Sequence, residues 1–525
     1  MPCCPQTLVI LNAVKVHCIS PLLALETTAR PMTPSISDRP NNQHATSTAL
    51  AALLACVVLL PLLGHKPLAE WDEGIYAEVS REMLHGSWLV PHWNTHLWLE
   101  KPPLMLWITA IFFKLFGVSE FWARAGSTFS GIAIVALLHG WLARTRGFLA
   151  AWLSSIILLA TFGFLHVCHV GEMDVLLSLG ACLALIGLSQ IQSEQRTGWF
   201  LFWIGFAIAL MTKGAASVTI PITAFLVAIL QRWKLRQFGA TFLLGFALFA
   251  ALVVPWHWEM YHLFGPQFVE QYLGLHVITR ATHQIEGHTT HWWYYGIVVL
   301  ASAPPFVLLY PIAIYRGFRS TLQPWAIFAV VTVAFFTVIQ TRLPHYIAPA
   351  YPAFAVLTAA WIADWLKPQI GRRPRSFWAR VAVATAAVWT ISIVLTHSTL
   401  KSLHSADLAG PGLLDNKEAD ALLKSTPLPD TTGPLLYLRD GRVQSIATVV
   451  FYSRRQVQQV VLTPPGSVTP RDPYMFDPTL LTDAVQTDPR LILLDKSLIS
   501  AIPSAFTYTP IQSSATEELG TLARR

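Results

Sequence analysis

Charge is what this sequence has least of. Acidic and basic residues fill 12% of its 525 positions, about half the roughly 25% typical of soluble globular chains. A surface that poor in charge excludes an ordinary water-soluble enzyme. Cysteine is scarce too: Cys3, Cys4, Cys18, Cys56, Cys168 and Cys182 all lie in the N-terminal tail or in apolar runs. No CxxC pair exists, so no disulfide framework is expected. No nucleotide-binding motif occurs, and no internal repeat is visible. The formal charge of +7 does not imply a nucleic-acid partner. Lys and Arg gather in short loops between apolar blocks, which membrane topology alone requires.

Apolar sequence is abundant. The chain is 54% hydrophobic with 20 Trp, and its apolar blocks approach the ~20 residues that cross a bilayer core. This predicts a polytopic α-helical membrane protein with about eleven spans. They are placed near 47–64, 121–141, 148–167, 175–191, 199–211, 215–230, 238–254, 293–315, 322–339, 346–366 and 377–395. Residues 1–46 are polar, without the order of a signal peptide, and are expected to form a disordered tail. The stretch PPLMLWITAIFFKLFG at 102–117 is short and interrupted by Lys114. It is expected to lie in the interface, as is the amphipathic segment at 74–84.

With that choice the loops sort by charge. Arg144, Arg146, Arg196, Arg232, Lys234, Arg236, Arg316, Arg319, Lys367, Arg372, Arg373 and Arg375 all fall on one side, which the positive-inside rule makes cytoplasmic. The first outer loop then covers 65–122, the transmembrane domain 47–395, and the C terminus lies outside. After residue 396 the hydrophobic blocks shrink to strand length (LLYL, TVVFY, LILL) with turn residues between. A small extracytoplasmic α/β domain over 396–525 is expected.

The unusual polar residues fall on the outer side. They are Asp72, Glu73, Glu100 and Lys101 in the first loop, Glu172 and Asp174 in HVCHVGEMD, and Lys213 in ALMTKG. His276 and Arg280 follow in a later loop, and Arg342, His345 and Tyr346 in TRLPHY. Ionisable groups at membrane depth are costly and tend to be functional. Each residue also has a plain reading. Asp72, Glu73 and Asp174 suit helix N-termini, Lys101 suits a snorkelling lysine, and the histidines match no standard zinc spacing. No metal ligand is assigned, and a divalent cation is left open. Carboxylates can take a proton from an attacking hydroxyl, while Lys and Arg neutralise a departing phosphate. The residues point to a lipid-linked group transferase facing outward. A lipid-linked sugar transporter would need polar groups through the membrane depth and repeats.

The run DEGIYAEVSREMLHGSWLVPHWNTHLWLEKPPLMLWITAIFFKLFGVSEFWAR at 72–124 resembles the first outer loop of bacterial lipid A aminoarabinose transferases. Their wider relatives are the dolichyl-phosphate-mannose protein mannosyltransferase-like glycosyltransferases of the GT-C fold. The resemblance continues through EMD, LMTKG, LGLHVITR and TRLPHYIAPAYP and covers about residues 47–395. It implies a polyprenyl-phosphate-linked sugar donor, a lipid, glycan or protein acceptor, and inverting transfer at an outward-facing site in the inner (plasma) membrane. It also implies roles. Asp72 and Asp174 are the catalytic acids, Lys101, Arg280, Tyr346 and Arg342 lie near the donor phosphate, and Glu100, Glu73 and His276 contact substrate. Arg342 stands where an aminoarabinose transferase has lysine. An oligosaccharyltransferase-like enzyme with a diphosphate donor is the alternative within the fold.

Overall fold

The computed structural model describes residues 41–234, 237–279, 282, 291–370, 372, 374, 376, 380, 390, 416–429, 433–439, 445–463, 479–485 and 488–525. Helix α1 (Asn41–Leu59) begins ahead of the expected tail boundary at residue 46, and the rest of that tail lies outside the described residues. The first loop carries α2 (Asp72–Glu82), a hairpin of β1 (His92–Trp93) and β2 (His96–Leu97), and α3 (Leu104–Phe116). The bundle continues with α4 (Glu120–Thr145), α5 (Phe148–Ala160), α6 (Phe162–Cys168), α7 (Asp174–Gln192), α8 (Gly198–Lys213), α9 (Thr219–Leu230) and α10 (Ala240–Phe264). It closes with α11 (Tyr294–Ser302), α12 (Tyr310–Phe318), α13 (Gln323–Val338) and α14 (Ala350–Leu366).

Among the described residues, five helical segments are long and apolar enough to cross a bilayer, or up to seven if each of two bent pairs is one span. The expected spans at 148–167 and 293–315 are the bent pairs: α5 and α6 meet at 70°, and the chain turns by 117° between α11 and α12. The run from α8 through α9 covers 33 residues, which as a straight rod would extend about 50 Å. Its two ends nevertheless meet. Trp199 Nε1 donates to the Gln237 carbonyl at 2.7 Å, and the Trp199 and Trp233 rings are 5.8 Å apart. The chain therefore folds back between the start of α8 and the end of α9. The expected span at 377–395 falls almost wholly outside the described residues.

The loops sort to two ends. At one end Arg146 reaches Thr321 at 2.7 Å and Asp364 at 3.6 Å, and Gln231 Nε2 donates to Gln323 Oε1 at 2.8 Å. This gathers the basic loops together. Helices α7 and α8 form an antiparallel pair packed backbone to backbone. A Cβ on Gly180 would fall 2.5 Å from the Gly205 carbonyl oxygen, and one on Gly187 would fall 2.5 Å from that of Gly198.

Helix α3 has 13 residues, about 20 Å of rise, too short to cross the ~30 Å core. It buries Met105, Leu106, Ala110 and Phe113 and leaves Ile111, Leu115 and Phe116 exposed, the one-sided pattern of an interfacial helix. Helix α2 does not lie on the surface, contrary to the sequence expectation for 74–84. Residues 73–80 are all buried, because a later part of the chain covers them.

That cover is a six-stranded sheet in the order β5-β4-β3-β6-β8-β7. Its strands are β3 (Leu435–Leu438), β4 (Val457–Val461), β5 (Thr479–Leu480), β6 (Arg490–Asp495), β7 (Phe506–Ser513) and β8 (Glu517–Arg524). Helices α15 (Lys417–Ser425) and α16 (Ala447–Ser453) accompany it. Alternation along β3 serves two cores. Leu435 and Tyr437 join Ile75, Val79 and Phe113 of the first loop, while Leu436 and Leu438 pack with Ile492 and Leu494.

Candidate active site

At the end of the bundle away from the basic loops lies a cavity of about 600 Å³. Asp72 at the start of α2, Glu100 and Lys101 before α3, Asp174 at the start of α7, Lys213 at the end of α8, and Tyr346 line it together. Most of its remaining wall is apolar and includes Val331, Ala334, Phe335, Val338 and Ile339 with Ile222 of α9. One cavity thus joins a charged head to a hydrophobic flank.

Lys213 Nζ donates to Asp174 Oδ2 at 2.6 Å and lies 5.0 Å from the centroid of the Tyr346 ring. Asp174 is buried and Lys213 mostly so, and Asp174 Oδ1 has no hydrogen-bond partner among the described residues. Beside them, His345 Nδ1 is 3.4 Å from Glu172 Oε2. Burial pushes His345 down to about 4, while burial and the nearby Asp174 and Asp72 carboxylates raise Glu172. Their contact is therefore short of a full ion pair.

Ligand atoms of Glu172, Asp174 and His345 lie within 4.8 Å of one another. Those three would offer a hard cation two carboxylate oxygens and one imidazole nitrogen. Lys213 already places a positive charge on Asp174, so a cation would compete with it. The sequence reading noted Lys213, Glu172 and His345 only as polar helix ends and gave them no role. Their signal was a charge at the tip of an apolar run.

Two expected site residues are placed otherwise. Glu73, expected at the substrate, is 2% exposed and fully engaged. It accepts from Arg124 Nε at 2.7 Å, Arg124 NH2 at 2.9 Å, and the amides of Gly171 and Ala69 at 2.6 Å each. Arg124 also donates to the carbonyls of Leu63, Lys66 and Pro67. Glu73 is a strut, because every lone pair a ligand would need is used inside the fold. Arg342, expected at the phosphate, donates to the Thr337 carbonyl through Nε at 3.1 Å and NH2 at 2.5 Å, and it is not among the residues lining the cavity. A cap role for Asp72 and Glu73 is also unsupported, since they occupy the first turn and no side chain caps α2. Arg280 lies outside the described residues. His276 falls in the π-helical segment Glu270–Thr279, with its side chain outside what is described.

Known proteins are similar to this chain in sequence and fold. The family model described as dolichyl-phosphate-mannose-protein mannosyltransferase matches residues 100–258. An undecaprenyl phosphate-alpha-4-amino-4-deoxy-L-arabinose arabinosyl transferase of Erwinia tasmaniensis is 31% identical over 326 residues, 58% of this chain and 57% of the relative. The same enzyme of Serratia proteamaculans is 28% identical over 328 residues, 60% and 59% of the two chains. This chain thus spans under two thirds of the length of these relatives. The crystal structure of ArnT from Cupriavidus metallidurans bound to undecaprenyl phosphate superposes with a TM-score of 0.69 at 20% identity, covering 91% of this chain and 98% of that one. The chain is similar to these transferases and has the GT-C fold. The resemblance first carried by residues 72–124 thus extends to the architecture. It makes the protein a polytopic helical membrane protein, with the cavity-lining acids and lysines at one end of the bundle.

Proposed function

We propose that this protein is an integral-membrane glycosyltransferase that moves a sugar from a polyprenyl-phosphate donor to a lipid, glycan or protein acceptor. In this reading the site opens to the outer, periplasmic side of the inner membrane. About eleven spans over 47–395 form the catalytic body, and the α/β region over 396–525 is an extracytoplasmic domain. The observation that carries the reading is the cavity itself. Asp72, Lys101, Asp174 and Lys213 share its polar head, and helices α9 and α13 supply an apolar flank, the two surfaces a lipid phosphate requires.

The reaction is a displacement at the anomeric carbon. Asp72 accepts the proton of the acceptor hydroxyl as its oxygen attacks. The bond from that carbon to the phosphate oxygen breaks, and the lipid phosphate leaves with the electron pair. Lys101 and Lys213 neutralise the charge that develops on it, while Asp174 holds Lys213 in place. Arg280 and Tyr346 are assigned near the phosphate, and Glu100 and His276 at the substrate, from the family resemblance.

The test is transfer by purified protein supplied with radiolabelled polyprenyl-monophosphate and polyprenyl-diphosphate sugars. Use of the monophosphate supports the proposal, and exclusive use of the diphosphate would favour the oligosaccharyltransferase-like alternative. Asp72→Asn should lower kcat by roughly 10²–10⁴-fold, and Lys101→Ala should raise the donor KM. Full turnover by folded Asp72→Asn would remove the base assignment.

A further inference from the structure

We infer that the C-terminal sheet domain is a positioning element for the reaction. Through Glu70 it holds the turn that delivers Asp72 to the cavity. The inference rests on the role proposed above for Asp72.

Asp72 follows Trp71, whose φ is 69° and ψ −125°. That left-handed φ is unfavourable for a bulky L-residue, and such a conformation persists only where its surroundings over-determine it. Two carboxylates flank the strained residue and its neighbour. On one side Glu73 is locked to Arg124 and Gly171, within the bundle. On the other side, Glu70 reaches the C-terminal domain. Its Oε1 accepts from Ser445 Oγ at 2.6 Å and Thr448 N at 3.3 Å, and its Oε2 accepts from Asn416 Nδ2 at 3.0 Å and from Thr448 Oγ1. Asn416 is itself held, donating to the Ser445 carbonyl at 3.0 Å and accepting from Tyr437 Oη of β3 at 2.9 Å. The clamp is thus tied to the sheet.

Close packing adds to it. A Cβ on Gly74 would lie 3.0 Å from the Ala447 Cβ and 3.1 Å from the Thr448 nitrogen, so α2 and α16 touch without slack. A second seam sits elsewhere. Asn94 Nδ2 donates to the Val457 carbonyl at 2.9 Å, and Val457 N donates to Asn94 Oδ1 at 2.8 Å. That seam docks the same domain on the β1–β2 hairpin without touching residues 70–72, which makes it a matched control.

The experiment uses the full chain in lipid nanodiscs. Ser445→Ala combined with Thr448→Val removes two side-chain donors to Glu70 and leaves Glu70 and Asp72 intact. The expected result is a fall in kcat of about tenfold with donor KM unchanged, and little change in kcat for Asn94→Ala. In an Asp72→Asn background the same pair should cost nothing more, because residues acting as one unit are non-additive. Amide hydrogen exchange at residues 71–74 should speed up in the pair and not in Asn94→Ala. A loss confined to KM, an equal kcat loss in Asn94→Ala, or the same tenfold loss in the Asp72→Asn background would overturn the inference. If the wild-type protein does not use a polyprenyl-phosphate sugar, the functional reading fails. The exchange comparison then still decides whether the clamp sets the turn.

Discussion

Replacing Lys213 with methionine keeps the length and most of the volume of the side chain and removes only its charge. Asp174 would then lose its 2.6 Å partner while staying buried, with Oδ1 already lacking a hydrogen bond among the described residues. Removing one member of a buried pair leaves an uncompensated charge and costs about 3–5 kcal/mol. Urea unfolding in detergent micelles, read by Trp fluorescence, should show a midpoint lowered by about 1 M or more at a slope near 3 kcal/mol/M. Adding Asp174→Asn should recover most of the loss, since an amide tolerates the site without a counter-charge. A double variant as unstable as Lys213→Met alone would show that the two side chains are not coupled and would refute the reasoning.

Two further outcomes concern the first loop. Arg124→Met should destabilise the folded chain by about 3–5 kcal/mol, because it strands the buried Glu73 carboxylate and three carbonyls. Adding Glu73→Gln should return part of that in the same unfolding assay. Glu78 is pushed up to about 7 by burial, which outweighs its bidentate bond to Arg81. The folded chain therefore binds more protons than the unfolded one between pH about 4.5 and 7. Stability should fall across that window as pH rises, by up to about 3 kcal/mol, and Glu78→Gln should flatten the slope in unfolding measured at several pH values.

Local signals were legible in the sequence. The apolar lengths located the helices, the basic loops sorted to one end, and the charges at helix tips named Asp72, Lys101, Asp174 and Tyr346, which all line one cavity. Partnership across the chain was not legible. Glu73 and Asp72 are adjacent acids at the start of one helix, and helical rotation alone sends one to Arg124, 51 residues away, and the other to the cavity. Glu70 carried no local pattern, because its partner Ser445 lies 375 residues on. Helix α2 looked like a surface helix because the sheet that covers it, sharing one core with Ile75 and Val79, lies more than 300 residues further along the chain. Arg342 looked like a phosphate ligand because its bond to the Thr337 carbonyl depends on how the chain turns after α13.

The glycines of α7 and α8 have a consequence beyond close packing. Gly180 faces Gly205 and Gly187 faces Gly198, near enough that no side chain fits between the backbones. Two helices meshed at two such points cannot slide past one another. Asp174 begins one helix and Lys213 ends the other, so their separation at the cavity is inherited from contacts several residues deeper. The spacing of charges that a ligand meets is thus gauged in the interior of the bundle, at positions without side chains. A methyl group added there would touch nothing in the cavity and would still move its charges apart.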